Sequence, residues 1–311
     1  MPRCLVLILG LCVALAGCGS ARSAGADDTA EATGRAQQLR IATAFYPLSF
    51  LAQRLAGDQA AVDDLTAAGA EPHDLELTPR QVAGLGEADL VLHLAGFQPS
   101  VDKAVQQQAR DVAFDVSAVT PLEPGYVPLE GGVPEPAERG LDPHVWLAPL
   151  RYAAIADAVA DRMAEIRPEQ SAQFRARATR LRGELADLDE QFRSGLTGCD
   201  RRQIVTSHNA FGYLASAYGL EQVPIAGFVP DAEPSPHRLA EVAAYAEAHG
   251  VTTVFFEELV DPAVAEVLAR EVGAERAALS PLEVAPESGD YFTHMRDNLT
   301  ALRKGLGCRG D

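Results

Sequence analysis

The sequence predicts an α/β protein of two similar lobes, with parallel sheets flanked by helices, joined by one long backbone helix. Three observations carry this expectation. Short apolar runs alternate with helical patterns along most of the chain, the order that builds parallel sheets covered by helices. From Pro168 to Leu196 an apolar period runs on for far longer than anywhere else. Finally, Thr43-Ala-Phe-Tyr-Pro-Leu-Ser-Phe-Leu-Ala aligns without a gap on Thr206-Ser-His-Asn-Ala-Phe-Gly-Tyr-Leu-Ala. Each of these segments leaves a strand and enters a helix, a short echo that points to internal duplication.

The elements follow in chain order. Met-Pro-Arg, the apolar run Cys4 to Ala16 and then Gly17 describe a secretory signal over residues 1–17. That run is shorter than the about 20 residues a membrane-spanning helix needs. Leu15-Ala16-Gly17-Cys18 resembles the lipobox of bacterial lipoproteins, which implies cleavage before Cys18 and a lipid on its sulfur. The alternative is a plain secretory signal with an incidental cysteine. Residues 18–38 are rich in Ala, Ser, Thr, Gly and Asp without an apolar period, and read as a lipidated flexible tether. Processing leaves three of the five cysteines. With Cys18 consumed by the lipid, Cys199 and Cys308 share an oxidising compartment, where a disulfide between them is expected and two free thiols are the alternative.

Leu39–Ala44 is the first strand candidate, and Pro47–Gly57 the helix behind it. Strand-like runs recur at Ala61–Ala67, Ala88–Ala95, Val112–Val116, Gln203–Thr206, Gln222–Ala226, Thr252–Phe256 and Ala274–Leu279. Helical patterns cover about Pro99–Arg110, Ser235–Gly250, Pro262–Glu271 and Asp290–Gly305. Pro121–Gly140, rich in proline and glycine without a period, reads as a surface loop. In the long helix Phe174, Ala178, Leu181, Leu185, Leu188, Phe192 and Leu196 recur at steps of four and three, with Pro168 where a helix start tolerates it. The expected organisation is an N-terminal lobe over residues 39–167, the linking helix over 168–197 and a C-terminal lobe over 198–311.

Composition limits the partners. Asp and Glu number 44 against 26 Lys and Arg, a formal charge of −18. Such a surface repels phosphate backbones, so no nucleic acid is expected, and it offers no polybasic route to an anionic membrane.

Three of the seven histidines stand on connections beyond elements of the α/β scaffold, where ligands bind. His73 lies in Glu-Pro-His-Asp-Leu-Glu, His144 in Asp-Pro-His-Val-Trp before a helix, and His208 at the end of Ile-Val-Thr-Ser-His. Three convergent imidazoles make a strong site for a divalent transition metal. Their spacing by itself leaves open whether they converge or are unrelated surface histidines.

These segments, with Pro230–Pro236 and Gly289-Asp-Tyr-Phe-Thr-His-Met, resemble those of the metal-binding lipoproteins of zinc and manganese ABC transporters. The similarity runs from about Leu39 to Leu306 in the family's order. It implies two α/β lobes on one long helix, with His73 and His144 from the first lobe and His208 and Asp290 from the second closing around one metal. It also implies an exported receptor, anchored by Cys18 on the outer face of the cytoplasmic membrane, working as a monomer with an ABC permease, and not an enzyme. Glu257, at a strand terminus, is expected to support the site by a hydrogen bond. His294 stands where the family usually has Met and keeps a minor claim to ligation. His93, His237 and His249 are expected to be structural or solvent-facing, and Trp146 to pack beside the site. The loop Pro121–Gly140 has no histidine, unlike the metal-collecting loop of many zinc importers in the family.

Three imidazoles and a carboxylate favour Zn²⁺ over the alternative, Mn²⁺, which prefers more oxygen and higher coordination. A competing reading from another class is a secreted zinc hydrolase. It needs an open coordination position for water, and the chain has no His-Glu-x-x-His. A surface adhesin is a third, with no sequence feature of its own.

Overall fold

The computed structural model describes residues 38–125, 140–230, 233–257 and 263–309, and residues 39 onward form one compact unit. The signal, Cys18, the tether and most of Pro121–Gly140 lie outside the described residues. Among the described residues, no helix is long and apolar enough to cross a membrane.

Two four-stranded sheets, both fully parallel, organise the unit. The first contains β1 (Leu39–Thr43), β2 (Ala60–Asp64), β3 (Leu90–His93) and β4 (Ala113–Asp115), in the order β2-β1-β3-β4. The second contains β5 (Gln203–Thr206), β6 (Glu221–Pro224), β7 (Thr253–Phe256) and β8 (Glu275–Ala278), in the order β6-β5-β7-β8. The orders are the same, and so are the bonds at the strand ends. Ala44 N–H donates to Leu92 O at 2.9 Å, and Ser207 N–H to Phe255 O at 3.0 Å. Leu65 N–H reaches Thr43 O at 2.8 Å, and Ile225 N–H reaches Thr206 O at 2.8 Å. The echo in the sequence therefore corresponds to one architecture built twice.

Parallel strands require crossovers, and the helices supply them. In the first half these are α1 (Tyr46–Ala56), α2 (Pro79–Leu85) and α3 (Pro99–Ala104), with α4 (Pro149–Ile166) following. In the second they are α6 (Gly212–Tyr218), α7 (Pro236–Ala248) and α8 (Ala263–Val272), with α9 (Tyr291–Leu306) closing the chain. Helix starts use a short set of devices. Pro79, Pro99, Pro149 and Pro236 stand at first helical positions, where a missing N–H costs nothing. Thr78 and Gln81 form a capping box ahead of α2, and the Ser235 hydroxyl accepts from Arg238 N–H ahead of α7. Helix α2 is the element that periodicity misses, because its seven residues bury only Leu85.

The long helix is α5 (Ser171–Gly195), entered through a 3₁₀ turn at Pro168–Gln170. Its 25 residues span about 38 Å at 1.5 Å per residue. The buried face is Phe174, Ala178, Leu181, Leu185, Leu188 and Phe192, which is the sequence period with Leu196 just beyond the helix. It packs against α1 and α4 from the first half and α9 from the second. Asp189 shares this face because its carboxylate accepts from Tyr218 Oη at 3.0 Å and Arg193 Nε at 2.7 Å. Behind α5, Cys199 and Cys308 form a disulfide that ties the start of the second half to the end of α9.

Candidate metal centre

In both sheets the strand order reverses between neighbouring strands, β1 beside β3 and β5 beside β7. Loops at the carboxyl ends diverge there and leave room for a ligand. His208 lies two residues beyond β5, and Glu257 directly follows β7. His73 lies on the connection after β2, and His144 stands just ahead of α4.

The structure brings His73, His144 and His208 together, and adds Glu283 as the fourth member. Their ligand atoms all lie within 4.8 Å of one another, and all four residues are buried. Glu283 Oε1 is the hub, 3.3 Å from His73 Nε2, 2.8 Å from His144 Nε2 and 3.6 Å from His208 Nε2. Donors at about 2.0–2.2 Å from a tetrahedral Zn²⁺ lie about 3.3–3.5 Å from one another. The observed separations bracket that value. His208 Nε2 is buried without a hydrogen-bond partner among the described residues, aimed at the centre of the cluster. Such an orphaned polar atom is costly unless something else satisfies it, and a metal ion bound to its lone pair would.

A further ring of carboxylates and aromatic rings orients the clustered side chains. Asp142 Oδ1 sits 2.8 Å from His144 Nδ1 and also accepts from the His144 backbone N–H at 2.9 Å. Glu257 Oε1 stands 2.5 Å from His208 Nδ1 and accepts from Ser207 Oγ. Each carboxylate holds the Nδ1 proton, which leaves Nε2 facing the cluster. Gly212 allows this closeness: a Cβ there would lie 2.6 Å from Asp142 Oδ2. Phe97 meets the His73 ring edge-on at 4.6 Å, and Trp146 lies 5.2 Å from the His144 ring. Trp146 packs beside the site, as expected.

Asp290 is not brought to the cluster, which corrects the expected ligand set. Its carboxylate caps α9, accepting from Thr293 N–H at 3.0 Å and Thr293 Oγ1 at 3.1 Å. It lines a surface hollow with Arg54, Glu184 and Arg296, and the acid that reaches the histidines stands seven residues earlier. Periodicity gave no sign of Glu283, since Leu279-Ser-Pro-Leu-Glu is neither helix nor strand. Its place was the available signal, because it follows β8 at the end of the sheet where His208 and Glu257 also lie. Asp142 was equally unmarked, although Asp-Pro-His puts it two residues ahead of His144. His294 bonds Ser288 O at 2.9 Å and takes no part in the cluster. His93 is buried 3.5 Å from Asp102, His237 is exposed, and His249 stacks on Tyr245 at the end of α7.

The cluster is electrostatically coupled. Burial alone would lower the His208 pKa, but Glu257 and Glu283 outweigh it and raise it to about 10. His144 is raised in the same way, burial being overcome by Asp142 and Glu283. Burial works against the Glu283 charge, yet His73, His144 and His208 hold its carboxyl well below the usual range. The His208 pKa of about 10 lies above its unfolded value of about 6.5. The ion pair therefore stabilises the metal-free fold fully below that unfolded value and is lost as pH rises through about 10. A metal needs the neutral imidazole and must displace this proton. Zinc binding near pH 7 is expected to release protons, and affinity to rise with pH. Calorimetry in buffers of differing ionisation enthalpy measures this, and an enthalpy independent of buffer would contradict it.

Residues 41–305 match the family model of ZnuA, the periplasmic component A of the zinc-uptake complex. The chain belongs to the ZnuA family. The high-affinity zinc uptake system protein ZnuA of Bacillus subtilis is 32% identical over 317 residues, covering 97% of each chain. The zinc-binding lipoprotein AdcA of Streptococcus pneumoniae is 34% identical over 279 residues, covering 86% of this chain and 56% of AdcA. A crystal structure of the Zn(II)-bound ZnuA-like domain of that AdcA superposes with a TM-score of 0.71 at 33% identity, over 86% of this chain and 99% of the domain. Two parallel sheets on a long helix are thus the ZnuA architecture, and the family is one of solute-binding receptors.

Proposed function

We propose that this chain is the extracytoplasmic receptor of an ABC importer, capturing Zn²⁺ and handing it to a membrane permease. One observation carries the reading: three imidazole nitrogens and one carboxylate oxygen, all buried, lie within 4.8 Å of one another, with the carboxylate oxygen 2.8–3.6 Å from the three nitrogens. His73, His144, His208 and Glu283 are the proposed ligands, and Asp142 and Glu257 orient two of them. Four protein ligands would leave no position for a reacting water, which favours capture and release over hydrolysis. The receptor is exported and held at the outer face of the cytoplasmic membrane by a lipid on Cys18, with residues 18–38 as its tether, and acts as a monomer.

Zinc is favoured over manganese by the donor set. Mn²⁺ prefers oxygen and higher coordination, whereas this cluster offers three nitrogens in a closed shell. Raw affinity also follows the order that puts zinc above manganese, so binding preference in vitro is a weak discriminator. Two measurements test the reading. Elemental analysis of the soluble chain from Ala21 onward is expected to find one zinc per chain. Deletion of the gene is expected to halt growth under chelation, with zinc restoring it. Rescue by manganese at levels where zinc does nothing would overturn the assignment.

A further inference from the structure

Glu283 stands apart from the other proposed ligands. His144 and His208 each have a carboxylate behind the ring, whereas the contacts of the Glu283 carboxylate are with the imidazoles themselves. Its position must therefore come from its backbone. That backbone is unusual: Leu282, the residue before it, is buried with φ 58°. Among the described residues it is the one non-glycine residue in the left-handed region, which a branched side chain rarely enters. Such a conformation persists only where its surroundings hold it.

The surroundings are specific. Asn298, on α9 and 2% exposed, grips Ser280 at both backbone groups. Its Oδ1 accepts from Ser280 N–H at 2.8 Å, and its Nδ2 donates to Ser280 O at 2.7 Å. The Ser280 hydroxyl then accepts from Leu282 N–H at 3.2 Å. Trp146 Nε1 donates to Pro281 O at 2.7 Å, and Glu283 O accepts from Tyr46 N–H at 3.3 Å. Asn298 is thus the root of a short relay, from α9 through Ser280 to the strained Leu282 and on to Glu283.

We propose that Asn298 is a positioning residue for the metal site: by clamping Ser280 it holds Leu282 in the left-handed conformation that points Glu283 at the three histidines. This rests on the proposed metal-binding reading. A side chain that acts through a ligand differs from one that only supports the fold, because its effect disappears when the ligand is already lost.

The test is a double-mutant cycle on the soluble chain, read by zinc titration and by the visible spectrum of Co²⁺ at the site. Asn298→Ala is expected to weaken zinc binding by about 10–100-fold, the range for residues that orient ligands. The Co²⁺ spectrum should lose the intensity of a four-coordinate site. In a Glu283→Gln background the same change is expected to cost nothing further. Asn298→Asp keeps the shape, but in place of the donor to Ser280 O it puts a second acceptor, so it should reproduce the loss with less disturbance of packing. Wild-type affinity and spectrum in both variants overturn the proposal. So does an undiminished effect in the Glu283→Gln background, or failure of both variants to fold, either of which assigns Asn298 to the fold alone. A wild-type chain that takes up no zinc, or a His208→Ala chain that binds it unchanged, would instead overturn the metal-binding reading and this proposal with it.

Discussion

Replacing His208 by alanine is expected to lower zinc affinity by more than about 100-fold, since changes to residues that only orient ligands already cost about 10–100-fold. Two losses combine. One Nε2 donor leaves a shell that has no spare ligand among the described residues, and the Glu257 carboxylate, 4% exposed, loses its imidazole partner. An uncompensated buried charge is strongly destabilising, so the metal-free protein should melt earlier as well. Asp290→Ala is the informative contrast. It removes the cap of α9, at a cost of about 0.5–2 kcal/mol in stability, and should leave zinc stoichiometry and affinity unchanged. Titration of both variants by competition with a chelator checks the pair. Full affinity in His208→Ala, or lost binding in Asp290→Ala, would show that the ligand set is wrong.

Removing the disulfide should produce the largest change in stability. Cys199 and Cys308 are 109 positions apart. Opening a loop of that size is expected to destabilise by about 4–5 kcal/mol in the chain-entropy model, a large share of the about 5–15 kcal/mol that holds a domain together. The bridge reinforces contacts already present at the end of α9. Gly307 takes the left-handed cap position at φ 66°, and Leu306 O accepts from Asp200 and Arg201 N–H at 3.1 and 3.2 Å. Urea denaturation of the Cys199→Ser/Cys308→Ser chain measures the loss. Thiol titration of the unfolded, unreduced protein is the independent check, because two reactive thiols per chain would contradict the bridge.

The two halves show where the sequence could be read and where it could not. Thr43-Ala-Phe and Thr206-Ser-His occupy equivalent turns after β1 and β5, with equivalent backbone bonds at Ala44 and Ser207. The aligned third residues then part company. Phe45 is buried against Phe97 and Trp146 at 4.7 and 5.0 Å, a floor under the site, while His208 enters it. The duplicated backbone was visible in the alignment. That one copy supplies packing and the other a member of the buried cluster was visible only in the residue types.

Elements and histidines were legible in the sequence because their signals are local. A period of 2 or 3.6, a proline at a helix start and a histidine beyond a strand are properties of a few adjacent residues. The parallel sheets and the long helix follow from such signals, whereas the convergence of the three imidazoles rests on the family resemblance. The identity of the proposed fourth ligand follows from neither. Asp290 had an equal claim by residue type and stood in a familiar motif, but its carboxylate is engaged by Thr293 three residues on. Glu283 reaches the histidines because Asn298 and Trp146, 15 and 137 positions away, fix the loop before it. Which carboxylate reaches the histidines depends on contacts between segments far apart in the chain, and these exist only once both lobes have folded against the long helix.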